Sequence, residues 1–215
     1  MRIPLVRGTS TETIDLVPSK IVAIGVNYRA HAVEMGKGLP EEPLLFLKPP
    51  SAMIASGEAI ERPGGFDRVD YEAELGVVIN QRARRVPRER ALDVVLGYVC
   101  INDVSVRELQ RRDGQWIRAK GFDTFCPIGE AVSTPIPYGE LTVITRVNGE
   151  ERQRGTGAQM VFSIPHILSY ISNIMTLEPG DLVLTGTPAG VGPLKSGDEV
   201  EVEVVGVSKV KNRVA

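Results

Sequence analysis

Short runs rich in β-branched residues, each closed off by glycine or proline, recur from one end of this chain to the other, and they limit what it can fold into. The pattern predicts strands over 13–17, 21–25, 44–47, 69–80, 94–104, 141–147, 181–185 and 199–205. Asn148-Gly149 suits a two-residue hairpin turn, in which both central residues need positive φ, so a return strand is expected over 151–154. Helical spacing is confined to four short stretches, 27–35, 87–94, 105–112 and 163–175, the last opened by Ser163 with Pro165 in its first turn. Few helices among many strands argue for a β-rich α+β fold rather than repeating βαβ units. The 22 glycines and 15 prolines are scattered and not gathered into a linker, so the 215 residues are expected to form one compact unit.

Charge and composition remove whole classes of function. With 25 basic and 27 acidic side chains the net charge is −2, which provides no basic field for nucleic acid or an anionic membrane. The longest apolar run, 94–101, is far short of the roughly 20 residues a membrane-spanning helix needs. The start of the chain does not have the apolar core of a signal peptide, so a cytoplasmic location is the expectation. Cys100 and Cys126 fit no paired-cysteine metal motif and are expected to be reduced. Two histidines in the chain exclude a centre built from several imidazoles, so a metal here must be held mostly by oxygen.

Oxygen ligands are available. Along 69–80, Asp70, Glu72 and Glu74 share one strand face and Tyr71, Ala73, Leu75 and Val77 the other. The acidic face reads either as solvated or as part of a site. The run 94–104 is apolar on both faces until Asn102-Asp103, and a carboxylate ending a buried strand needs a partner. Asp103 is therefore either the N-cap of the following helix or the third member of a Glu72, Glu74, Asp103 set suited to Mg²⁺ or Mn²⁺. His31 and Glu34 lie on one face of the helix expected over 27–35, either as a surface pair or as a carboxylate-oriented base that activates water. Lys120 lies in a stretch rich in turn formers and faces either a substrate carboxylate or solvent. The strand over 181–185 leads into Gly186-Thr187-Pro188-Ala189-Gly190-Val191-Gly192. Pro188 and Pro193 oppose a phosphate-binding helix there, and the loop is read instead as holding a carboxylate through the Thr187 hydroxyl and backbone N–H groups.

Taken together, Ile24-Gly25-Val26-Asn27-Tyr28 with His31 and Glu34, Leu45-Phe46-Leu47-Lys48-Pro49-Pro50-Ser51, and Asp70-Tyr71-Glu72-Ala73-Glu74-Leu75-Gly76 resemble the fumarylacetoacetate hydrolase family. So do Gly97-Tyr98 through Asn102-Asp103 with Arg107 and Gln110, Lys120-Gly121-Phe122-Asp123-Thr124-Phe125, Met160-Val161-Phe162-Ser163-Ile164 and Leu184-Thr185-Gly186-Thr187-Pro188. The resemblance implies a roll of mixed β-sheets, a short N-terminal strand segment over 1–20 and a catalytic domain over 21–215. It implies Mg²⁺ or Mn²⁺ on Glu72, Glu74 and Asp103, a lid helix carrying His31 and Glu34, a pocket lined by Lys120, Arg107, Gln110 and Thr187, and a homodimer.

Many members of the family carry Arg where this chain has Val26, with Arg29 the candidate substitute. The compact length resembles acylpyruvate hydrolases and oxaloacetate decarboxylases. The expected reaction is metal-dependent hydrolysis of a C–C bond in a small 2,4-dioxo acid, catalysed with His31, Glu34 and Lys120. The alternatives are oxaloacetate decarboxylation, isomerisation of a hydroxymuconate-type or 2-hydroxyhepta-2,4-diene-1,7-dioate-type diacid, and non-catalytic binding of a small acid.

Overall fold

A computed structural model describes residues 1–134 and 137–215. Its centre is an eight-stranded mixed sheet. In spatial order the strands are Ser10–Asp15, Arg2–Arg7, Val132–Ser133, Val95–Asn102, Ala73–Ile79, Leu182–Leu184, Ile21–Gly25 and Leu44–Lys48. Ile21–Gly25 and Ala73–Ile79 are buried at every position; for Ile21–Gly25 this is why it reads as a continuous apolar run, whereas Ala73–Ile79 buries Glu74 as well. A five-stranded sheet, in the order Glu150–Thr156, Thr142–Val147, Glu199–Val204, Ser208–Val214 and Ala59–Ile60, packs nearby. Val202, Val204 and Val210 of that sheet join Leu75, Val77 and Ile79 of the large sheet in one core. The same core takes Ile164, Ile167, Leu168 and Ile171 from the helix Ile164–Ile174, a spacing that places all four on one helical face. The opposite face of the large sheet packs Ala23, Val78, Val99 and Ile101 against Ile3, Leu5 and Phe46.

A third sheet of three short strands, Ser105–Val106, Val69–Tyr71 and Gly192–Pro193, explains where the site lies. The expected single strand over 69–80 is broken at Glu72: its first part belongs to the small sheet and its second to the large one. The neighbouring chain makes the same crossing between Val95–Asn102 and Ser105–Val106, with Asp103 in the gap. The Asp103 amide donates to the Glu72 carbonyl at 2.8 Å, and the Asn102 side chain accepts the Glu72 amide at 3.0 Å. The backbone itself therefore sets the two carboxylates side by side at the seam between sheets.

Several expectations are adjusted. The chain's first residues form a hairpin, Arg2–Arg7 with Ser10–Asp15, whose first strand runs parallel to Val132–Ser133. The stretch 87–94 folds as a 3₁₀ helix, Arg88–Val94, and the helix expected over 105–112 starts only at Arg107. Ser208–Val214, which was not anticipated, completes the five-stranded sheet. The 148–149 turn is as expected, with φ of 52° and 81°, and its return strand is Glu150–Thr156. Cys100 and Cys126 are free and buried, and burial pushes both thiols up to about 12. No helix among the described residues is long and apolar enough to cross a membrane.

Candidate active site

Glu72, Glu74 and Asp103 are all buried, so the solvated-face reading of the acidic strand is overturned. Each offers an oxygen, and these atoms lie within 4.8 Å of one another. Asp103 is not a helix cap either, because Val106 occupies the N-cap position of Arg107–Arg112. Asp70 is not part of that group and takes a bidentate contact from Arg68, at 2.9 and 3.0 Å, and a 2.7 Å contact from Arg107.

Lys120 was read from its neighbours as facing either substrate or solvent. It is buried at the end of the helical turn Ile117–Lys120, which excludes the solvent reading. Its Nζ lies 2.6 Å from both Glu72 and Asp103. Arg107 Nη1 lies 2.5 Å from Glu72 and donates to Gln110 at 2.7 Å. Burial alone would raise the Glu72 carboxyl, but Arg107, Lys120 and His31 outweigh it and hold the group well below the usual carboxylate range. Glu74 behaves oppositely. Burial, reinforced by the charges of Asp103 and Glu72, pushes its carboxyl well above that range against the pull of Lys120 and the Gly186 amide, and it forms no ion pair among the described residues.

These features fit a hard divalent cation. The donor set is all carboxylate, the type Mg²⁺ and Mn²⁺ prefer. Glu74 is the carboxylate that the chain's own cations leave least compensated, whereas both oxygens of Asp103 are ion-paired, Oδ1 with Lys48 and Oδ2 with Lys120.

The helix expected to act as a lid spans Arg29–Glu34, shorter than expected. His31 is 5% exposed, which excludes an ordinary surface pair, and its Nδ1 lies 2.9 Å from Glu34 Oε2. Val26, just before the lid, has φ of 58°, a region a β-branched residue rarely adopts. That reversal leads into Asn27, whose buried amide binds Phe162 N and O and Thr185 O, so the root of the lid is fixed to two other segments. Arg29 is exposed and does not line the cleft, whereas Val26 does.

The loop after Leu182–Leu184 does hold carboxylates, and they are the chain's own. Gly186 N donates to Glu74 at 2.7 Å and Gly190 N to Glu34 at 2.9 Å. The Thr187 hydroxyl donates to Ala73 O and accepts from Gln153, each at 2.8 Å.

His31, Glu72, Glu74, Gln110, Lys120 and Thr187 line one cleft, and Glu34, Asp103 and Arg107 each contact one of these residues. The cleft leaves about 20 Å³, room for one water or ion. Three participants were not singled out from sequence. Trp116 forms a wall, seated on Gly25, where a Cβ would stand 2.5 Å from its ring, and tilted against Phe46 at 5.3 Å. Gln153 braces the 186–190 loop. Lys48, at the end of an apolar strand, pairs with Asp103. The reasoning applied to Asp103, that a charge ending a buried strand needs a partner, would have found Lys48 as well.

The chain belongs to the fumarylacetoacetate (FAA) hydrolase C-terminal family, whose family model matches residues 20–215. It is 44% identical over 199 residues to the mitochondrial oxaloacetate tautomerase FAHD1 of Arabidopsis thaliana, covering 90% of this chain and 89% of that protein. The crystal structure of 5-carboxymethyl-2-hydroxymuconate delta-isomerase from Mycobacterium smegmatis matches with a TM-score of 0.87 and 45% identity, over 93% of this chain and 80% of the other. Fumarylpyruvate hydrolase from Pseudomonas aeruginosa, crystallised with Mn²⁺ and pyruvate, matches with a TM-score of 0.89 and 32% identity, over 100% of this chain and 96% of the other. The family thus includes hydrolases, isomerases and tautomerases of small molecules.

Proposed function

We propose that this chain is a divalent-metal-dependent hydrolase that cleaves a C–C bond in a 2,4-dioxo acid of the acylpyruvate type. The observation that carries the reading is the His31–Glu34 pair, held in the same cleft as three convergent buried carboxylates. The presence of Mn²⁺ and pyruvate in the Pseudomonas aeruginosa hydrolase supports it.

Glu72, Glu74 and Asp103 would hold Mg²⁺ or Mn²⁺, which supplies charge that polarises the 2-oxo group and offsets negative charge as the C–C bond breaks. With Nδ1 committed to Glu34, His31 has Nε2 left to take a proton from water. The water oxygen adds to the 4-carbonyl carbon, the C3–C4 bond breaks, and its electron pair passes into the pyruvate part as an enolate. A proton on C3 then completes pyruvate, and the acyl part leaves as a carboxylic acid. Two of the three Lys120 hydrogens go to Glu72 and Asp103, leaving one for a substrate oxygen. Arg107 Nη2, without a partner among the described residues, and Gln110 are the donors assigned to the substrate carboxylate. Thr187 completes the pocket wall.

A second reading is enol–keto or double-bond isomerisation of an oxo diacid. The same His31–Glu34 pair can relocate a proton without consuming water, and the Arabidopsis thaliana and Mycobacterium smegmatis relatives are named for such reactions. Turnover of acylpyruvates, oxaloacetate and hydroxymuconates with Mg²⁺ separates the readings. ¹⁸O from labelled water enters the acid product only in hydrolysis, and absence of acylpyruvate cleavage would reject the first. We also propose a homodimer in solution, and a monomer mass by light scattering at micromolar concentration would contradict it.

A further inference from the structure

Lys48 is among the largest fully buried side chains, and the chemistry above gives it no task. It ends the edge strand Leu44–Lys48, and its Nζ is surrounded by oxygen from two other segments. It lies 2.8 Å from Asp103 Oδ1, an ion-pair contact off the line of a good hydrogen bond. It donates to the Val104 carbonyl at 3.4 Å and to the Lys120 carbonyl. Oxygens of Asp103, Val104 and Lys120 thus surround Lys48 Nζ from three sides.

We infer that Lys48 is a positioning residue for the metal centre. It steadies the carboxylate of Asp103 on the side that Lys120 does not reach, and through the Lys120 carbonyl it holds the helical turn whose ammonium bridges Glu72 and Asp103. The inference rests on the metal reading of the three carboxylates. Two physical effects of Lys48 oppose each other. As a like charge it repels an incoming cation, whereas by fixing Asp103 it spares the cost of ordering a ligand. Lys120 already pairs with the other oxygen of Asp103, so the distinctive contribution of Lys48 is orientation, and orientation dominates.

Calorimetric titration with Mn²⁺ of wild type and Lys48→Met, alongside thermal unfolding in chelator, tests this. The expected result is a Kd weakened about 10- to 100-fold in the variant, the usual effect of losing a group that orients a metal ligand, with circular dichroism unchanged. Tighter binding in Lys48→Met would show that charge repulsion dominates and overturn the inference. Unchanged binding with a lowered melting temperature would also overturn it, since Lys48 would then be an anchor of the fold alone. Should the methionine variant not fold, Lys48→Gln, which keeps an N–H donor without the charge, decides by the same titration. Absence of Mn²⁺ binding to wild type would instead reject the metal reading itself, and this inference with it.

Discussion

Gly190 donates its backbone N–H to Glu34 Oε1 at 2.9 Å across 156 residues of sequence, while Oε2 of the same carboxylate holds His31 at 2.9 Å. Both oxygens of Glu34 are thereby committed, and the helix Arg29–Glu34 is tied to the glycine-rich loop opposite. Only glycine suits that position: its φ is +102°, and a Cβ would stand 2.2 Å from the Arg152 carbonyl.

Replacing Glu34 by Gln keeps the side chain's size and reach but removes the charge that orients and stabilises the protonated His31. Hydrolysis should fall by about 10²- to 10⁴-fold, the usual contribution of a positioned base. Oxaloacetate decarboxylation, which requires no attacking water, should change much less, because the three carboxylates are untouched. Steady-state kinetics on both substrates reads the difference, and equal losses would mean that the pair acts through lid closure.

The raised Glu74 carboxyl makes metal-free stability depend on pH. In the unfolded chain a glutamate titrates near about 4.3. Because the folded group holds its proton to higher pH, its stabilising effect is fully present below that value and is lost as pH rises through the raised one. Glu72, held low, has the opposite sign: its contribution is present above about 4.3 and is lost only as pH falls toward its depressed value. Melting temperatures in chelator should therefore fall with rising pH above the ordinary carboxylate range in wild type, and more weakly in Glu74→Gln. Saturating Mn²⁺, taking the proton's place, should flatten the wild-type slope.

Gly25→Ala would drive a Cβ to 2.5 Å from the Trp116 ring, deep in the cleft wall, whereas Gly38→Ala meets open space. The first should raise KM by displacing Trp116, with little loss of divalent-metal affinity. The second should leave both unchanged. Kinetics and Mn²⁺ titration on the pair check this.

Val26 at φ 58° offers a test of backbone strain. A left-handed conformation costs a side chain with a Cβ about 1–2 kcal/mol, and glycine's extra freedom in the unfolded chain costs about 0.5–1 kcal/mol. Val26→Gly should thus leave stability unchanged or raise it by up to about 1.5 kcal/mol, a rise in melting temperature of at most about 6 °C. Val22→Gly, in the fully buried strand Ile21–Gly25, should cost about 2–5 kcal/mol. Equal losses in the two variants would mean that Val26 carries no strain.

Ile21–Gly25 was readable at its observed boundaries because a strand buried on both faces is written as continuous apolar sequence. Ser208–Val214 was not, although Val210, Asn212 and Val214 alternate inward, because Lys209, Lys211 and Arg213 on the other face dilute the signal. In the site, Glu72, Glu74 and Asp103 were legible from strand alternation and from the cost of burying a charge. Their counter-ions were less so: Lys48 and Lys120 come from distant segments, and a lysine's reach hides its destination from local pattern. The break at Glu72 leaves no mark in the sequence, since the apolar alternation runs through it unbroken while the hydrogen-bonding partners change.

That crossing has a mechanical consequence. Glu72 and Asp103 sit where two neighbouring segments of the chain leave one sheet for another, so their spacing is set by how the sheets meet and not by the interior of either. Heat or denaturant that merely loosened this joint would part the carboxylates while every strand kept its own ladder. Catalysis would then fade before the far-ultraviolet spectrum does, and the enzyme would work as an early alarm for its own unfolding.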